Sequence, residues 1–229
     1  MRLRPSGTTG PIASSLDSFK QYNYEEAWTW EQMALTRSRI ISAPDDLANE
    51  IIRIIHTTLT RQRDPHALLA NVIDMRKRML RTHKTDFIWD VKHIRGGLVD
   101  VEFITQFLQL RHAHQHPDIL VHDTKSALET LTSKALIDPA IASDLLQALG
   151  LWNNLQGMLR LTIPRELRQL RQHDIPESLR DKLVRIGGAE NYDDLLNNMA
   201  ACTTKVLNHF NTIMSSPAAN LGTETKITL

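Results

Sequence analysis

A long stretch without glycine is the feature that most constrains the fold of this chain. The 85 residues from Pro11 to Arg95 contain no glycine, and strong helix formers occur throughout them. Prolines stand at the starts of the apolar-periodic segments or between them, where a helix tolerates proline. This stretch therefore predicts a series of helices joined by short breaks.

Apolar spacing and helix-start residues place the predicted helices. Ser15 or Asp17 can cap a short first helix, and Pro44 followed by two aspartates is typical of a helix start. One helix opens at Pro44 with apolar residues up to Leu59, and another opens at Asp64-Pro65 with apolar residues up to Leu80. The other helices are predicted at about 23–41, 98–114, 123–135, 139–158, 177–186 and 191–214. Residues 1–5 alternate and predict the end of a strand, and Phe87–Ile94 alternates with period two, so we expect it to be extended. The fold class is therefore mainly α, a helical bundle with a small β element at the N-terminus.

Composition excludes several classes of protein. No apolar run reaches the length of a membrane-spanning helix, and the first residues lack the apolar core of a signal peptide. The single cysteine, Cys202, excludes an internal disulfide framework and a cysteine-rich zinc site, and we expect it to be a core residue. The formal net charge is +1, so no overall field attracts nucleic acid or a membrane surface. We expect a cytoplasmic protein with neither as a partner.

Two arginines near the start form the first candidate site. On a strand, Arg2 and Arg4 would point to the same side. Because like charges on one face repel, this pair would not stabilise the strand. Two guanidinium groups side by side suit a phosphate or a cluster of carboxylates. The alternative is two solvated arginines near a chain end.

A second candidate site precedes the helix predicted at 98–114. A Gly-Gly turn delivers the start of this helix, whose free N–H groups and dipole favour an anion. Two cations stand just before it, and two acids in its first turns either complement the dipole or orient the cations. The alternative is an ordinary turn with good dipole complementarity. The candidate residues are Asp90, Lys92, Arg95, Gly96, Gly97, Asp100 and Glu102.

Two other clusters are weak as metal sites. Glu25 and Glu26 are adjacent and diverge on a helix, and near them Trp28 and Trp30 lie on different sides, which indicates a helix packed on two faces. His112 and His116 share a helical face, but no glutamate stands between them, and the polar end of a helix is the better interpretation. We predict no metal site in this chain.

Four motifs, taken in order, resemble glutamine synthetase adenylyltransferase. They are Met1–Gly7 with Gly10-Pro11, Glu26–Glu31, Ala34–Arg39, and Gly96–Phe103 followed by Gln106 and Leu110–Ala113. Together they cover roughly residues 1–114, and the C-terminal half matches only in helical character. The resemblance implies a bifunctional enzyme with two related halves, each a nucleotidyltransferase core followed by a helical domain.

The resemblance also implies an activity, cofactors and partners. One half of the family enzyme attaches AMP from ATP to a tyrosine of glutamine synthetase, and the other removes it by phosphorolysis. The residues of these motifs resemble those of the C-terminal, adenylylating half of the family enzyme. The implied cofactors are ATP and Mg²⁺, and the implied partners are glutamine synthetase, the PII signal protein and the N-terminal part of the same enzyme.

One departure from the family pattern bears on activity. The family's nucleotide-binding Gly-Ser segment and Asp-x-Asp metal pair lie upstream of the Arg-Leu-Arg-Pro strand, and its third metal-binding aspartate stands just before the position of Met1. We therefore expect a chain truncated at its N-terminus, with no catalytic residue of its own, that does not transfer AMP alone. The expected domains are the end of a nucleotidyltransferase core at 1–42, a helical domain at 43–214 and a disordered tail at 215–229. Arg2, Arg4, Lys92 and Arg95 are expected to contact phosphate.

Two other functions remain open at this point. The chain is alternatively a non-catalytic helical module that binds glutamine synthetase or a PII-type signal protein. A nucleic-acid-binding helical domain is disfavoured by the near-zero net charge.

Overall fold

The structure, a computed structural model of the chain, describes residues 13–83, 85, 87–162 and 175–215. These residues form α-helices, a π-helical turn and a short 3₁₀ helix, and they contain no strand, which confirms the mainly α fold class. The predicted β element at 1–5, with Arg2 and Arg4, lies outside the described residues. So does the predicted tail, apart from Ser215.

The first helices begin at the signals that the sequence carries. Ser15 caps α1 (Leu16–Gln21), and its hydroxyl oxygen accepts a hydrogen bond from the N–H of Ser18. Asp45 and Pro65 begin later helices, as predicted. After α1 come a π-helical turn (Tyr22–Glu26), α2 (Thr29–Leu35), α3 (Asp45–Thr60) and α4 (Pro65–Thr82). The later helices are α5 (Leu98–His112), α6 (Thr124–Ser133), α7 (Pro139–Thr162), α8 (Glu177–Gly187) and α9 (Tyr192–Ser215), with a 3₁₀ turn at Pro117–Ile119.

The predicted helix from Asn23 to Ile41 is wrong. The chain leaves the helical conformation at Trp28, whose ψ of 157° is extended. The carboxylate of Glu31 accepts the N–H of Trp28, which caps α2 and makes a continuous helix impossible. Beyond Leu35 the chain is irregular up to Pro44. The hydrogen bond between Glu31 and Trp28 therefore determines where this helix begins, although the apolar spacing would allow a longer one.

The prediction of an extended segment at Phe87–Ile94 is also wrong, because the segment is a series of turns. The N–H of Asp90 donates to the carbonyl of Phe87, and the N–H of His93 donates to the carbonyl of Asp90. Trp89 and Val91 are buried while the residues between and after them are partly exposed. The turns therefore imitate the alternating burial of a strand only over residues 89–92, and residues 92–94 are all partly exposed.

Contacts divide the chain into two compact units. The first contains the described residues up to Met75 together with Thr105–Leu136, and the second contains Arg76–Ile104 and the described residues from Ile137 onward. In the first unit Ile54, Phe107 and Leu128 are almost fully buried. Burial of each such side chain contributes about 1.5–3 kcal/mol to stability.

Arg63 closes the end of α3 in the first unit. Its guanidinium donates to the carbonyls of Thr58 and Leu59, to the side-chain oxygen of Gln32 and to the carbonyl of Leu110. All of these acceptors are neutral, and burial lowers the pKa of Arg63 to about 10. We call these residues the Arg63 network.

The second unit is built on the mutual packing of α7, α8 and α9. Trp152, Leu183, Leu195 and Val206 are fully buried in it. Gly187 packs closely at the end of α8, because a Cβ there would lie 2.4 Å from Cδ1 of Leu195 and would displace that side chain. Cys202 is buried, as predicted, and burial raises the pKa of its thiol.

Candidate functional site

The carboxylate of Asp100 organises the segment that precedes α5. Asp100 is fully buried, and its Oδ1 lies 2.6 Å from Nε of Arg76. The same carboxylate accepts Nη1 of Arg95 at 3.2 Å and the backbone N–H of Gly96 at 2.6 Å. We call these four residues the Asp100 network. Two guanidinium groups and a backbone donor together compensate one buried negative charge.

Arg76 connects this carboxylate to the turns before it. Its Nη2 donates to Oδ2 of Asp100 at 3.3 Å and to the carbonyls of His93 and Ile94 at 3.2 and 3.3 Å. The side chain of Arg76 is only 3% exposed. The turn segment, defined as residues 90–97, is therefore attached to α4 as well as to α5.

Both glycines of the turn are there for steric reasons. Gly96 has a φ of +76°, which side-chain-bearing residues rarely adopt, and a Cβ there would lie 2.1 Å from the carbonyl oxygen of Thr203. A Cβ on Gly97 would lie 2.5 Å from the carbonyl oxygen of Val91. The Gly-Gly pair thus allows the turn segment to pass close to α9 and to its own preceding turn.

Arg95, a predicted phosphate ligand, makes two contacts inside the second unit. Besides the bond to Asp100, its guanidinium lies 4.7 Å from the ring centre of Phe210, in a cation–π contact. Burial lowers the pKa of Arg95, and the charge of Asp100 opposes that shift. The guanidinium thus connects the turn segment to α9.

Lys92 and Asp90 lie on the same turn segment. The carbonyl of Lys92 accepts the N–H of Val99, while its side chain is half-buried and has no hydrogen-bond or ion-pair partner among the residues described. Oδ1 of Asp90 lies 2.9 Å from Nδ1 of His93. Glu102 is half-buried in the first turn and a half of α5.

The structure brings most of the predicted site residues together and adds several that sequence reasoning missed. Asp90, Lys92, Arg95, Gly96, Gly97 and Asp100 all lie on one turn segment or at the helix start beside it. Arg76, His93 and Phe210 were not predicted. His93 stands within the motif itself, but Arg76 is 24 residues from its partner and no local pattern points to it.

The weaker clusters have structural roles where the structure describes them. Glu31 accepts the hydroxyl of Tyr22 at 2.6 Å as well as the N–H of Trp28, and burial together with this carboxylate raises the pKa of Tyr22 to about 12. Trp28 is 65% exposed, so the prediction of a helix packed on two faces is not met at this residue.

His112 ends α5 as predicted, but it differs from a solvated helix end. Burial lowers its pKa to about 4, and the positive charge of Arg111 adds to the shift. Its Nε2 is buried without a hydrogen-bond partner among the described residues. The imidazole is thus neutral near pH 7 and does not act as a cationic cap.

The described ranges lack both a metal-binding cluster and a membrane-spanning helix. In these ranges no group of three histidine, cysteine, aspartate or glutamate side chains is placed to hold a metal ion. None of the described helices combines the length and apolar character that crossing a membrane requires.

Comparison with known proteins places the chain. Residues 1–53 match the model of the family described as glutamate-ammonia ligase adenylyltransferase, and residues 66–214 match the model described as GlnD PII-uridylyltransferase. The second match covers well over half of the chain.

Curated relatives match along nearly the whole chain. Two from Rhodopseudomonas palustris strains are 44% and 40% identical over 186 and 223 residues, which are 81% and 96% of this chain. One from Bradyrhizobium diazoefficiens is 37% identical over 221 residues, or 96% of the chain. All three are named bifunctional glutamine synthetase adenylyltransferase/adenylyl-removing enzyme, and the aligned part is 18% of the first and 22% of the other two. The chain therefore belongs to the glutamine synthetase adenylyltransferase family and matches a fragment, about a fifth in length, of its bifunctional enzymes.

Proposed function

We propose that this chain is part of the adenylylating half of a bifunctional cytoplasmic enzyme that regulates nitrogen assimilation. In the complete enzyme, AMP passes from ATP to a tyrosine of glutamine synthetase. The observation that supports this role most directly is the match of residues 1–53 to the family described as glutamate-ammonia ligase adenylyltransferase. We assign residues 1–42 to the end of the nucleotidyltransferase core and residues 43–214 to the helical domain.

The turn segment is the part of the helical domain that we assign to the nucleotide. Its Lys92 carries a charge without an ion-pair partner among the described residues, and nucleotidyl transfer requires cations against the phosphate chain of ATP. Arg95 lies beside it but is bonded to Asp100 and stacked on Phe210, so we assign it mainly to positioning the segment. Arg2 and Arg4, which lie outside the described residues, remain proposed phosphate contacts. Magnesium, which the family resemblance implies, has no ligand set among the described residues, and we assign it none there.

A chimera tests the role of the turn segment. The corresponding part of the 40% identical Rhodopseudomonas enzyme is replaced by this chain, and adenylylation of glutamine synthetase is measured at varied ATP. Lys92→Glu should raise the KM for ATP and lower kcat/KM by about tenfold or more, since it puts a negative charge beside the phosphates. Arg2→Glu should act in the same direction.

The matched control for that experiment is Lys125→Glu, which reverses an exposed lysine on α6. It should leave the kinetics unchanged. If Lys92→Glu and Arg2→Glu also leave them unchanged in an active chimera, the assignment of these two residues to the phosphates of ATP is wrong.

We further propose that the 229-residue chain does not transfer AMP by itself. It contains no Asp-x-Asp sequence, and Glu25, Glu26 and Asp90 do not match the positions of the family's metal ligands. Two-metal nucleotidyl transfer requires such carboxylates. The test is incubation with labelled ATP, Mg²⁺ and glutamine synthetase, with the full-length Rhodopseudomonas enzyme as positive control. Label transferred by this chain alone would contradict the proposal.

A second candidate function is a non-catalytic binding module. The observation that favours it is the match of residues 66–214 to a family described as a PII-uridylyltransferase, whose name includes a signal protein. Calorimetric titration of the chain with purified PII protein, and separately with glutamine synthetase, tests it. Saturable binding to either protein, together with a chimera that lacks activity, would favour this module over the catalytic role.

A further inference from the structure

A pair of stacked histidines stands beside Lys92. The rings of His83, which follows α4, and His93, on the turn segment, are 4.3 Å apart between centroids and within 15° of parallel. Nδ1 of His93 lies 2.9 and 3.2 Å from the two oxygens of Asp90. With Nδ1 held by the carboxylate, the other ring nitrogen of His93, Nε2, has no hydrogen-bond partner among the described residues.

Hydrogen bonds hold the backbone of the residues that form this cluster. Arg76 donates to the carbonyl of His93, and the carbonyl of Lys92 accepts the N–H of Val99. The N–H of His83 donates to the carbonyl of Met79, so His83 continues the helical bonding of α4. Preorganised donors bind an anion at lower cost, because little side-chain and backbone freedom remains to be lost.

The charges around the rings favour an anion. Partial loss of hydration lowers the pKa of the exposed His83, and the neighbouring His93 and Lys92 lower it further, while Asp90 opposes the shift. Asp90 itself is bonded to His93, so its carboxylate is already engaged. A metal ion fits this cluster poorly, because parallel stacked rings cannot direct both lone pairs at one centre, and no metal-holding group was found among the residues described.

We propose that His83, His93 and Lys92 form a binding site for a phosphate group, with Asp90 orienting His93. With a proton on each ring nitrogen, His93 donates from Nδ1 to Asp90 and from Nε2 to the phosphate, and the ring of His83 and the ammonium of Lys92 donate beside it. The site extends the role proposed for Lys92 and rests on the proposed function for its physiological ligand, the phosphate chain of a nucleotide. Binding itself does not require that this chain transfer AMP.

Histidine-selective NMR of the full 229-residue chain tests the site. Inorganic phosphate, pyrophosphate and ATP are titrated separately at constant ionic strength, with sodium chloride as the non-specific reference. We expect saturable shifts of the His83 and His93 resonances together on addition of each phosphate compound, and no such shifts with sodium chloride. Tighter binding of ATP than of free phosphate identifies a nucleotide ligand, and equal binding identifies a general phosphate site.

Variants separate this site from charge in general. His93→Gln and Lys92→Met should each weaken phosphate binding by about tenfold, and His83→Gln, at an exposed residue, should do so without affecting folding. The matched control is His209→Gln, because His209 also contacts a carboxylate, that of Asp144, next to a lysine, but has no second imidazole stacked on it.

The outcomes are distinct. Shifts that are equal for all histidines, that also appear with chloride, or that persist unchanged in His83→Gln and His93→Gln would overturn the site. Phosphate binding by an intact site, combined with unaltered ATP kinetics of the Lys92→Glu chimera, would refute the proposed function while leaving the site in place.

Discussion

Each unit contains a charged side chain removed from solvent, Asp100 wholly and Arg63 in part, and the two charges are compensated differently. In the second unit the carboxylate of Asp100 is compensated by the guanidinium groups of Arg76 and Arg95. In the first unit the guanidinium of Arg63 is surrounded by carbonyl oxygens and the amide of Gln32, with burial lowering its pKa. One network pairs opposite charges, and the other pairs a charge with neutral dipoles.

The difference indicates what each network can tolerate. Removing one partner of a buried ion pair leaves an uncompensated charge, which is more costly than the loss of several bonds to neutral groups. The Asp100 network also holds the turn segment that carries Lys92 and His93, whereas the Arg63 network bonds the carbonyls at the end of α3. We therefore expect the candidate site to be more sensitive to substitution than the first unit.

Asp100→Asn is expected to have the largest effect. It leaves Arg76 buried with only carbonyl acceptors and should lower the free energy of unfolding by about 3–5 kcal/mol. Urea denaturation followed by circular dichroism measures this. The control is Asp144→Asn, whose partner Lys205 is half-exposed, with a loss below about 1 kcal/mol. Similar losses for the two variants would refute the argument from burial.

Gly96→Ala should rank second and tests how closely the turn segment approaches α9. The added Cβ meets the carbonyl of Thr203 in a backbone conformation with φ of +76°, and we expect a loss of about 2–3 kcal/mol. Gly188→Ala is a matched control, because Gly188 has a φ of +66° but open space around it, and it should cost only about 1 kcal/mol. Equal costs would mean that the contact with Thr203 contributes nothing.

Arg63→Met tests the Arg63 network in the first unit. It removes the hydrogen bonds to Thr58, Leu59 and Gln32 without leaving a buried charge, so we expect a loss of about 2 kcal/mol, less than for Asp100→Asn. Arg53→Met, at an exposed pair with Glu50, should be close to neutral. A loss larger than that of Asp100→Asn would reverse the comparison.

His112 makes the stability of the first unit depend on pH. Its folded-state pKa of about 4 is below the ordinary value of 6.5, so the unfolded chain binds the proton more readily. Stability from this group is complete above pH 6.5 and is lost as the pH falls from 6.5 towards 4. His112→Gln should therefore reduce the difference in urea midpoint between pH 7.5 and pH 5.

The control for that measurement is His114→Gln, two residues further along at an exposed position. It should keep the pH dependence of the unchanged chain. If His112→Gln and the unchanged chain lose stability in parallel on acidification, the imidazole of His112 is not the group responsible.

Ala135→Gly should have the smallest effect, and it is stabilising. Ala135 follows α6 with a φ of 55°, in a helix end where the N–H of Leu136 donates to the carbonyl of Leu131. Glycine removes the strain of the left-handed conformation, and we expect a gain of about 0.5–1 kcal/mol. Thermal unfolding of the two chains side by side measures it, and a lower midpoint for the glycine variant would contradict the expectation.

Local signals predicted the helices well where bonding is local. The starts of α3, α4 and α5 followed from Pro44, Pro65 and the Gly-Gly pair, because capping and φ preferences depend on near neighbours. The errors at Asn23–Ile41 and Phe87–Ile94 have one cause. In the first segment a side-chain carboxylate accepts a backbone N–H, and in the second backbone N–H groups donate within turns. Neither kind of hydrogen bond changes the spacing of apolar residues in the sequence.

The sequence by itself determined the helical class, the family resemblance and the segment that carries Asp90, Lys92 and Asp100. It could not determine that Arg95 stacks on Phe210, that Arg76 bonds Asp100, or that His83 stacks on His93. Periodicity and capping depend on residues a few positions apart, whereas these contacts join residues separated by 10 to 115 positions. Which of them meet is decided by how the helices pack, because a buried charge or ring takes the partner that packing places beside it.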